Sequence, residues 1–372
     1  MSRRTLFTLP PLSYVSVPTI NQSQCRAEDG CDQCVSACPQ RALEKDASTI
    51  LVSRVQCQSC GSCVAACPQR AVELPGWSAE EREAQLSSLL ESEPRQGTRA
   101  VAFVCQNAAN LAGAGWLPVR IPCTSSVSAS ELLTSLAHGA NRVAVYSCGA
   151  MCATGLNEAV RGRVSYCQEL LRVLGDTSAT ERVQFLNPDD GGSAKPVTLL
   201  PTLPGETPNN PMNLFGNGAA AKAVIELTAR YGAQSLTLEH PHSPLGLVGI
   251  DASTCTGCDT CVVACPTGAL FSERSDQGPT INFDPALCIG CGKCVTSCPE
   301  QAADAIDMSP TTDLLQISQG PKSLFQGREV RCRRCEAPVA TREMLNRIAT
   351  LLGDEYIPEY MEKLCVDCRG RS

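Results

Sequence analysis

Residues 255–266 read Cys255-Thr256-Gly257-Cys258-Asp259-Thr260-Cys261-Val262-Val263-Ala264-Cys265-Pro266, four cysteines spaced by two, two and three residues and closed by proline. The same spacing returns at Cys288, Cys291, Cys294 and Cys298 before Pro299, and at Cys57, Cys60, Cys63 and Cys67 before Pro68. A fourth run departs from it, reading Cys25-x5-Cys31-x2-Cys34-x3-Cys38-Pro39. Its insert, Arg26-Ala27-Glu28-Asp29-Gly30, is polar and ends in glycine, as a surface bulge would. The spacing has a physical reason. Three thiolates within seven residues let one loop wrap a cubane of iron and sulfide, with backbone N–H groups turned toward its sulfurs. The fourth cysteine, at a Cys-Pro step that begins a helical turn, points the other way. Inert buried cysteines or zinc are the competing readings of these runs, and the weaker ones.

The rest of the composition narrows the class. The chain has 372 residues, enough for two or three domains, and 25 cysteines. Eight cysteines fall between Cys25 and Cys67, eight between Cys255 and Cys298, and four after residue 331. Disulfide frameworks belong to short secreted chains, whereas short repeated intervals suit ligation of a common metal centre. A net charge of -7 and a pI near 5.2 give no electrostatic case for nucleic acid. No apolar run approaches the roughly 18–20 residues that span a bilayer. Ser2-Arg3-Arg4-Thr5-Leu6-Phe7 resembles a twin-arginine export signal. The stretch after it is short, is broken by Pro10, Pro11 and Pro18, and lacks a small-residue cleavage site before Asn21. The expected location is therefore cytoplasmic.

Residues 25–75 and 255–305 form an internal repeat, two four-cysteine runs each followed by an Ala-rich stretch. Between them the pattern changes. Apolar runs at Val101–Val104, Pro118–Ile121, Val143–Tyr146 and Val183–Leu186 read as buried strands. Helical patterns lie at Ser130–Ala137 and Leu156–Leu174, and this alternation predicts a parallel α/β sheet. Residues 188–215, rich in Pro, Gly and Asn, read as a loop. A helix at Ala219–Tyr231 and a strand at Ser235–Glu239 lead into the second cysteine module, and a polar connector follows Met308. Four units are expected: residues 1–80 and 246–308 as cysteine modules, 95–245 as the α/β domain, and 325–372 as a small C-terminal unit.

The cysteine modules resemble two-cluster bacterial ferredoxins, and the resemblance implies ferredoxin-like folds with 4Fe-4S clusters and crossed ligation. In the second module it gives one cluster to Cys255, Cys258, Cys261 and Cys298, and another to Cys265, Cys288, Cys291 and Cys294. In the first it gives Cys25, Cys31, Cys34 and Cys67 to one cluster, and Cys38, Cys57, Cys60 and Cys63 to the next. Should Cys25 not ligate, that cluster becomes a three-iron form.

In the middle domain Cys105, Cys123 and Cys148 each follow a predicted strand, and Cys152 lies four residues beyond Cys148. Carboxyl ends of parallel strands share one edge, where ligands bind. Four thiolates converging there fit a 2Fe-2S cluster; an α/β docking domain with inert thiols is the other reading. Phe103-Val104-Cys105, Ile121-Pro122-Cys123-Thr124 and Tyr146-Ser147-Cys148-Gly149-Ala150-Met151-Cys152, with the helix after Arg161-Gly162-Arg163, resemble the delta subunit of methyl-viologen-reducing hydrogenase. That resemblance implies a central parallel, flavodoxin-like domain that links hydrogenases or formate dehydrogenases to heterodisulfide-reductase-type partners. Two departures stand out: Ala108 replaces a cysteine usual in the family, and the last pair is one residue closer than usual. Cys167 lies within the long helix and reads as core.

Cys332-x2-Cys335 and Cys365-x2-Cys368, on either side of a helix near Arg342–Leu352, resemble a zinc ribbon, with another iron–sulfur cluster or no metal as alternatives. Arg328, Arg331, Arg333, Arg334, Arg369 and Arg371 make this end basic, suited to an acidic partner or simply solvated. Gly216-x-Gly218-x-x-Ala221 raises a dinucleotide site, against the commoner reading of glycines that start a helix. With three histidines and no catalytic dyad, no self-contained reaction can be assembled from the remaining side chains. The expectation is a multi-cluster electron-transfer subunit, serving a formate dehydrogenase, hydrogenase or related molybdenum or tungsten oxidoreductase. The alternative is a redox-sensing or assembly factor that binds an apo-oxidoreductase.

Overall fold

Two stretches with the same cysteine spacing fold the same way. The computed structural model describes residues 17–91, 99–108, 115–152, 154–190, 200–204, 218–275, 278–352 and 364–369. The twin-arginine segment, the Pro211–Phe215 run and Gly216 lie outside the described residues. In the first module, Thr19–Ile20 pairs antiparallel with Val72–Glu73, and Leu43–Asp46 forms a hairpin with Thr49–Val52. Short helices Gln33–Ser36 and Ser62–Ala66 each carry the third cysteine of their run. The second module repeats this plan. Leu247–Ile250 pairs with Ile306–Ser309, Leu270–Ser275 pairs with Gly278–Phe283, and the helices are Thr260–Val263 and Lys293–Thr296. Both hairpins join the end of one cysteine run to the start of the next, so the two runs of a module come back side by side.

The middle domain is a four-stranded, all-parallel sheet. Leu117–Ile121, Ala100–Cys105, Arg142–Tyr146 and Val183–Leu186 lie in that spatial order, the second strand in sequence preceding the first. The two central strands are buried along their whole length, as continuous apolar runs in a covered parallel sheet should be. Leu117–Ile121 alternates exposed and buried, and as an edge strand it tolerates Pro118. Val101, Phe103, Val143 and Val145 face the main core with Leu132, Leu133 and Leu136 of helix Ala129–Ala137 and Leu170 and Leu171 of helix Asn157–Val173. Ala102, Val104, Ala144 and Tyr146 make a thinner core on the other face with Trp116. Each fully buried Leu, Val or Phe contributes about 1.5–3 kcal/mol.

This main core does not stop at the domain edge. Cys63, Val64, Leu74, Trp77, Leu86 and Leu90 of the first module and its following helix, Ala79–Glu91, belong to it. The second module has its own core around Ile281, Phe283 and Phe325.

The segments beyond the sheet take partners of their own. The expected strand near Ser235–Glu239 is present as Thr237–Glu239, and it pairs antiparallel with Thr311–Asp313. Gly218, with φ of 75°, caps helix Ala219–Tyr231, which packs on Ala129–Ala137 through Arg230 Nη1 to Leu136 O at 3.2 Å. Among the described residues Gly218 thus begins a helix that no parallel strand follows, in keeping with the commoner reading of a glycine that starts a helix. One expectation needs correction: the stretch after Met308, read as a polar connector, is folded as Thr311–Asp313, helix Leu314–Gln319 and Lys322–Gln326, which adds a third strand to the second module's hairpin sheet. Among the described residues no helix is long and apolar enough to cross a membrane.

Candidate metal centres

The cysteine loops are shaped by turns that return the chain on itself. In the first run, Gly30 N–H donates to Ala27 O at 3.0 Å and Cys31 N–H to Arg26 O at 3.1 Å. Arg26 and Asp29 also pair at 2.6 Å. The five-residue insert is therefore a closed bulge, and Cys25 stays with Cys31, Cys34 and Cys67. Burial, then the neighbouring Cys67, Cys31 and Cys25, pushes the Cys34 thiol up to about 12. Cys63 is likewise pushed up to about 12 by burial and then by Cys60, Cys34, Cys57 and Cys38.

The second module groups in the same crossed way. Cys261 is raised to about 12 by burial, then chiefly by Cys255 and Cys258, with Cys294 and Cys298 also near. Cys294 is raised to about 12 by burial, then by Cys288, Cys291 and Cys265. The last cysteine of each run thus sits with the first three of the other run. Two small cavities have walls that include complete sets: Cys38, Cys57, Cys60 and Cys63 line one, and Cys255, Cys258, Cys261 and Cys298 the other.

Cys34, Cys63, Cys261 and Cys294, whose thiols burial and neighbouring cysteines keep from ionising, belong to donor sets that need bound cations to become thiolates. Backbone N–H groups already point at the sulfurs. Ala42 donates to Cys38 Sγ and Ala71 to Cys67 Sγ, both at 3.2 Å, and Leu270 to Cys265 Sγ at 3.5 Å. Such bonds are among the levers that set a cluster's potential. The residues present fit thiolate-held iron–sulfur clusters.

In the middle domain the sheet order reverses between the strands that end at Cys105 and Tyr146, the crevice where open parallel sheets bind ligands. Cys105 and Cys148 flank it and interact directly, with Cys123 and Cys152 near Cys105. Burial first, and Cys105 next, pushes Cys148 up to about 12. Cys152 goes the other way: against burial, the Thr154 hydroxyl at 3.4 Å and nearby backbone N–H groups hold its thiol below the usual value. Arg163, on the long helix, fixes the turn after Cys123 by donating to Ser125 O at 3.0 Å and Val127 O at 2.7 Å. Ala108 lies just past this crevice, partly buried against the thinner core. Cys167 is fully buried in the helix with its thiol toward Ala129 O, as core.

Cys332, Cys335, Cys365 and Cys368 have sulfurs all within 4.8 Å of one another. Cys335 Sγ lies 3.5 Å from Cys365 Sγ and 3.6 Å from Cys368 Sγ. A tetrahedron of sulfurs at the usual zinc–sulfur distance has edges of about 3.8 Å. The backbone N–H of Cys365, with those of Arg334 and Cys335, holds the Cys332 thiol down to about 6. The group fits a zinc-ribbon-like unit. The strands around it, Glu329–Arg331 and Pro338–Thr341, form a hairpin that the sequence pattern does not signal.

One module loop meets the middle group directly. Ser125 Oγ donates to Cys60 O at 2.7 Å and lies 3.4 Å from Cys123 Sγ, so one hydroxyl joins a module loop to the middle group. No periodic signal could have marked Ser125, Lys293 or Gln69, whose partners are far away in sequence.

Comparison with known families agrees with this geometry. Residues 18–68 and residues 254–302 each match the 4Fe-4S dicluster domain, and residues 100–198 match the methyl-viologen-reducing hydrogenase, delta subunit. A search of curated proteins gave no match. The chain is an iron–sulfur electron-transfer subunit in which two 4Fe-4S dicluster domains flank a hydrogenase delta-subunit domain.

Proposed function

We propose that the protein relays single electrons between a redox enzyme and a second redox partner, with the enzyme a formate dehydrogenase, a hydrogenase or a related molybdenum or tungsten oxidoreductase. The single observation that carries this reading is the Ser125 bridge. It sets the delta-subunit-like domain's thiol group directly against a dicluster loop, where electron exchange between them would occur.

The proposed ligand sets are those the groupings support. Cys25, Cys31, Cys34 and Cys67 hold one 4Fe-4S cluster, and Cys38, Cys57, Cys60 and Cys63 the next. Cys255, Cys258, Cys261 and Cys298 hold a third, and Cys265, Cys288, Cys291 and Cys294 a fourth. Cys105, Cys123, Cys148 and Cys152 hold a 2Fe-2S cluster in a four-stranded, flavodoxin-like sheet, and Cys332, Cys335, Cys365 and Cys368 hold one structural zinc. The units run over residues 1–80, 95–245, 246–308 and 325–372. When bound, each cluster supplies a one-electron couple. The chain's own part is to keep the thiols apolar-walled, to aim N–H groups at them, and to offer surfaces to partners.

The experiment is anaerobic co-purification from the native source, followed by mixing the isolated protein with the captured enzyme and its substrate. Bleaching of the visible absorbance on substrate addition supports the relay. Reversible reduction by dithionite with no transfer in either direction, and partner binding that depends on redox state, would replace it with the sensing or assembly role.

A further inference from the structure

The two dicluster modules, though separated by the whole middle domain in sequence, touch each other at their cysteine loops. Lys293, between Cys291 and Cys294, pairs with Asp32, between Cys31 and Cys34, at 2.7 Å. Both side chains are largely covered, at 27% and 29% exposure, so this is a better ion pair than an open surface one. Beside it, Gln69 Nε2 donates to Pro266 O at 2.6 Å, joining the step after Cys67 to the step after Cys265. A cavity of about 320 Å³ adjoins the junction, with Cys67 and Cys288 in its wall.

These contacts agree on one pairing. Asp32 and Gln69 belong to the loops of the Cys25, Cys31, Cys34 and Cys67 group, and Lys293 and Pro266 to those of the Cys265, Cys288, Cys291 and Cys294 group. The remaining two groups lie at other junctions. The Cys60 loop meets the middle domain at Ser125, while Thr256 O, beside Cys255, accepts from Thr341 of the C-terminal unit. Glu300, two residues after Cys298, pairs with Arg347 of the same unit at 2.8 Å.

We propose that Asp32, Lys293 and Gln69 are positioning residues that clamp these two thiol groups together, and that they fix a single order of centres. The order runs from the middle thiol group to the Cys57 group, the Cys25 group, the Cys288 group and the Cys255 group. Module-to-module exchange therefore takes place at the Asp32–Lys293 junction. One electron crosses there, one centre being oxidised as its neighbour is reduced, with no proton moved and no bond made or broken. The inference rests on the relay reading and its five proposed cluster sites.

The test uses full-length protein loaded anaerobically and reduced with dithionite, read by iron content and by magnetic coupling between the modules in EPR. Lys293→Glu sets a carboxylate against Asp32 and pushes the loops apart. It is expected to keep all its iron and lose the inter-module coupling, and Asp32→Lys combined with Lys293→Glu should restore it. Gln69→Ala should weaken the coupling without touching either charge, and Arg347→Ala at the other junction should leave it as in the parent. Coupling unchanged in Lys293→Glu and in Gln69→Ala, at full iron content, overturns the clamp. So does an equal loss in Arg347→Ala. A parent protein holding only half the iron would instead refute the cluster assignment on which the clamp rests.

Discussion

Gly61 and Gly76 carry nearly the same backbone conformation, φ of 74° and 71°, in very different surroundings. A β-carbon on Gly61 would lie 2.5 Å from Ser126 Cβ and 3.3 Å from Leu74 Cδ1, whereas one on Gly76 would meet nothing within 4 Å. Replacing either by alanine forces an L residue into the left-handed region, at about 1–2 kcal/mol. Gly61→Ala adds overpacking against a Cβ with no free rotation to escape by, about 1–3 kcal/mol more. The extra term falls on the seam between the Cys60 loop and the middle domain. Unfolding of a multidomain, cofactor-loaded chain is not a two-state equilibrium, so the assay is the anaerobic bleaching rate of the visible absorbance at fixed urea. Gly76→Ala should bleach modestly faster than the parent. Gly61→Ala should bleach faster still, by roughly 5- to 160-fold over Gly76→Ala if its full extra cost appears in the rate. Equal rates for the two variants would refute the claim that the Cys60 loop is docked on residues 124–126.

Cys298→Ser should remove about four iron atoms and lose the EPR signal of the Cys255, Cys258 and Cys261 group, because Cys298 lies with them; loss of the Cys288 group's signal alone would reverse that assignment. Cys148→Ser should abolish a binuclear EPR signal and leave the cubane signals intact, whereas a parent protein with no binuclear signal would make the middle domain a docking element. Cys365→Ser should release one zinc ion with no change in visible absorbance, and metal analysis finding no zinc in the parent would end that reading. Arg182→Ala should destabilise the middle domain by about 3–5 kcal/mol, because it strands the buried carboxylate of Asp176. Arg182 also donates to Asn141 O and Pro201 O, both at 3.1 Å, and protease resistance of the middle domain reports the loss.

What was legible in the sequence was what short-range chemistry dictates. The x2, x2, x3 spacing announces the cysteine modules, because a loop around a metal centre has few ways to place three thiols. The runs at Val101–Val104 and Val143–Tyr146 are apolar throughout because both faces of a central parallel strand are covered. Cys105, Cys123 and Cys148 could be placed at one sheet edge because each follows a strand. The rest depends on partners distant in sequence. The strand near Ser235–Glu239 was legible but its partner, Thr311–Asp313, was not, and Tyr166 OH meets Thr312 Oγ1 at 2.7 Å to hold that pairing on the long helix. The stretch after Met308 showed no periodic pattern, because its buried apolar residues, Leu314, Ile317 and Phe325, go to two different cores. The Asp32–Lys293 junction spans 261 positions and involves two ordinary charged residues, so no local pattern could mark it.

Iron and acid-labile sulfide in the anaerobically purified, full-length protein test the central claim most directly. Four crossed sets of cysteines in two dicluster domains predict about sixteen iron atoms per chain from the cubanes, and about two more from the middle group. A value near eight, with the protein folded and its remaining cysteines titrating as free thiols, would contradict the account.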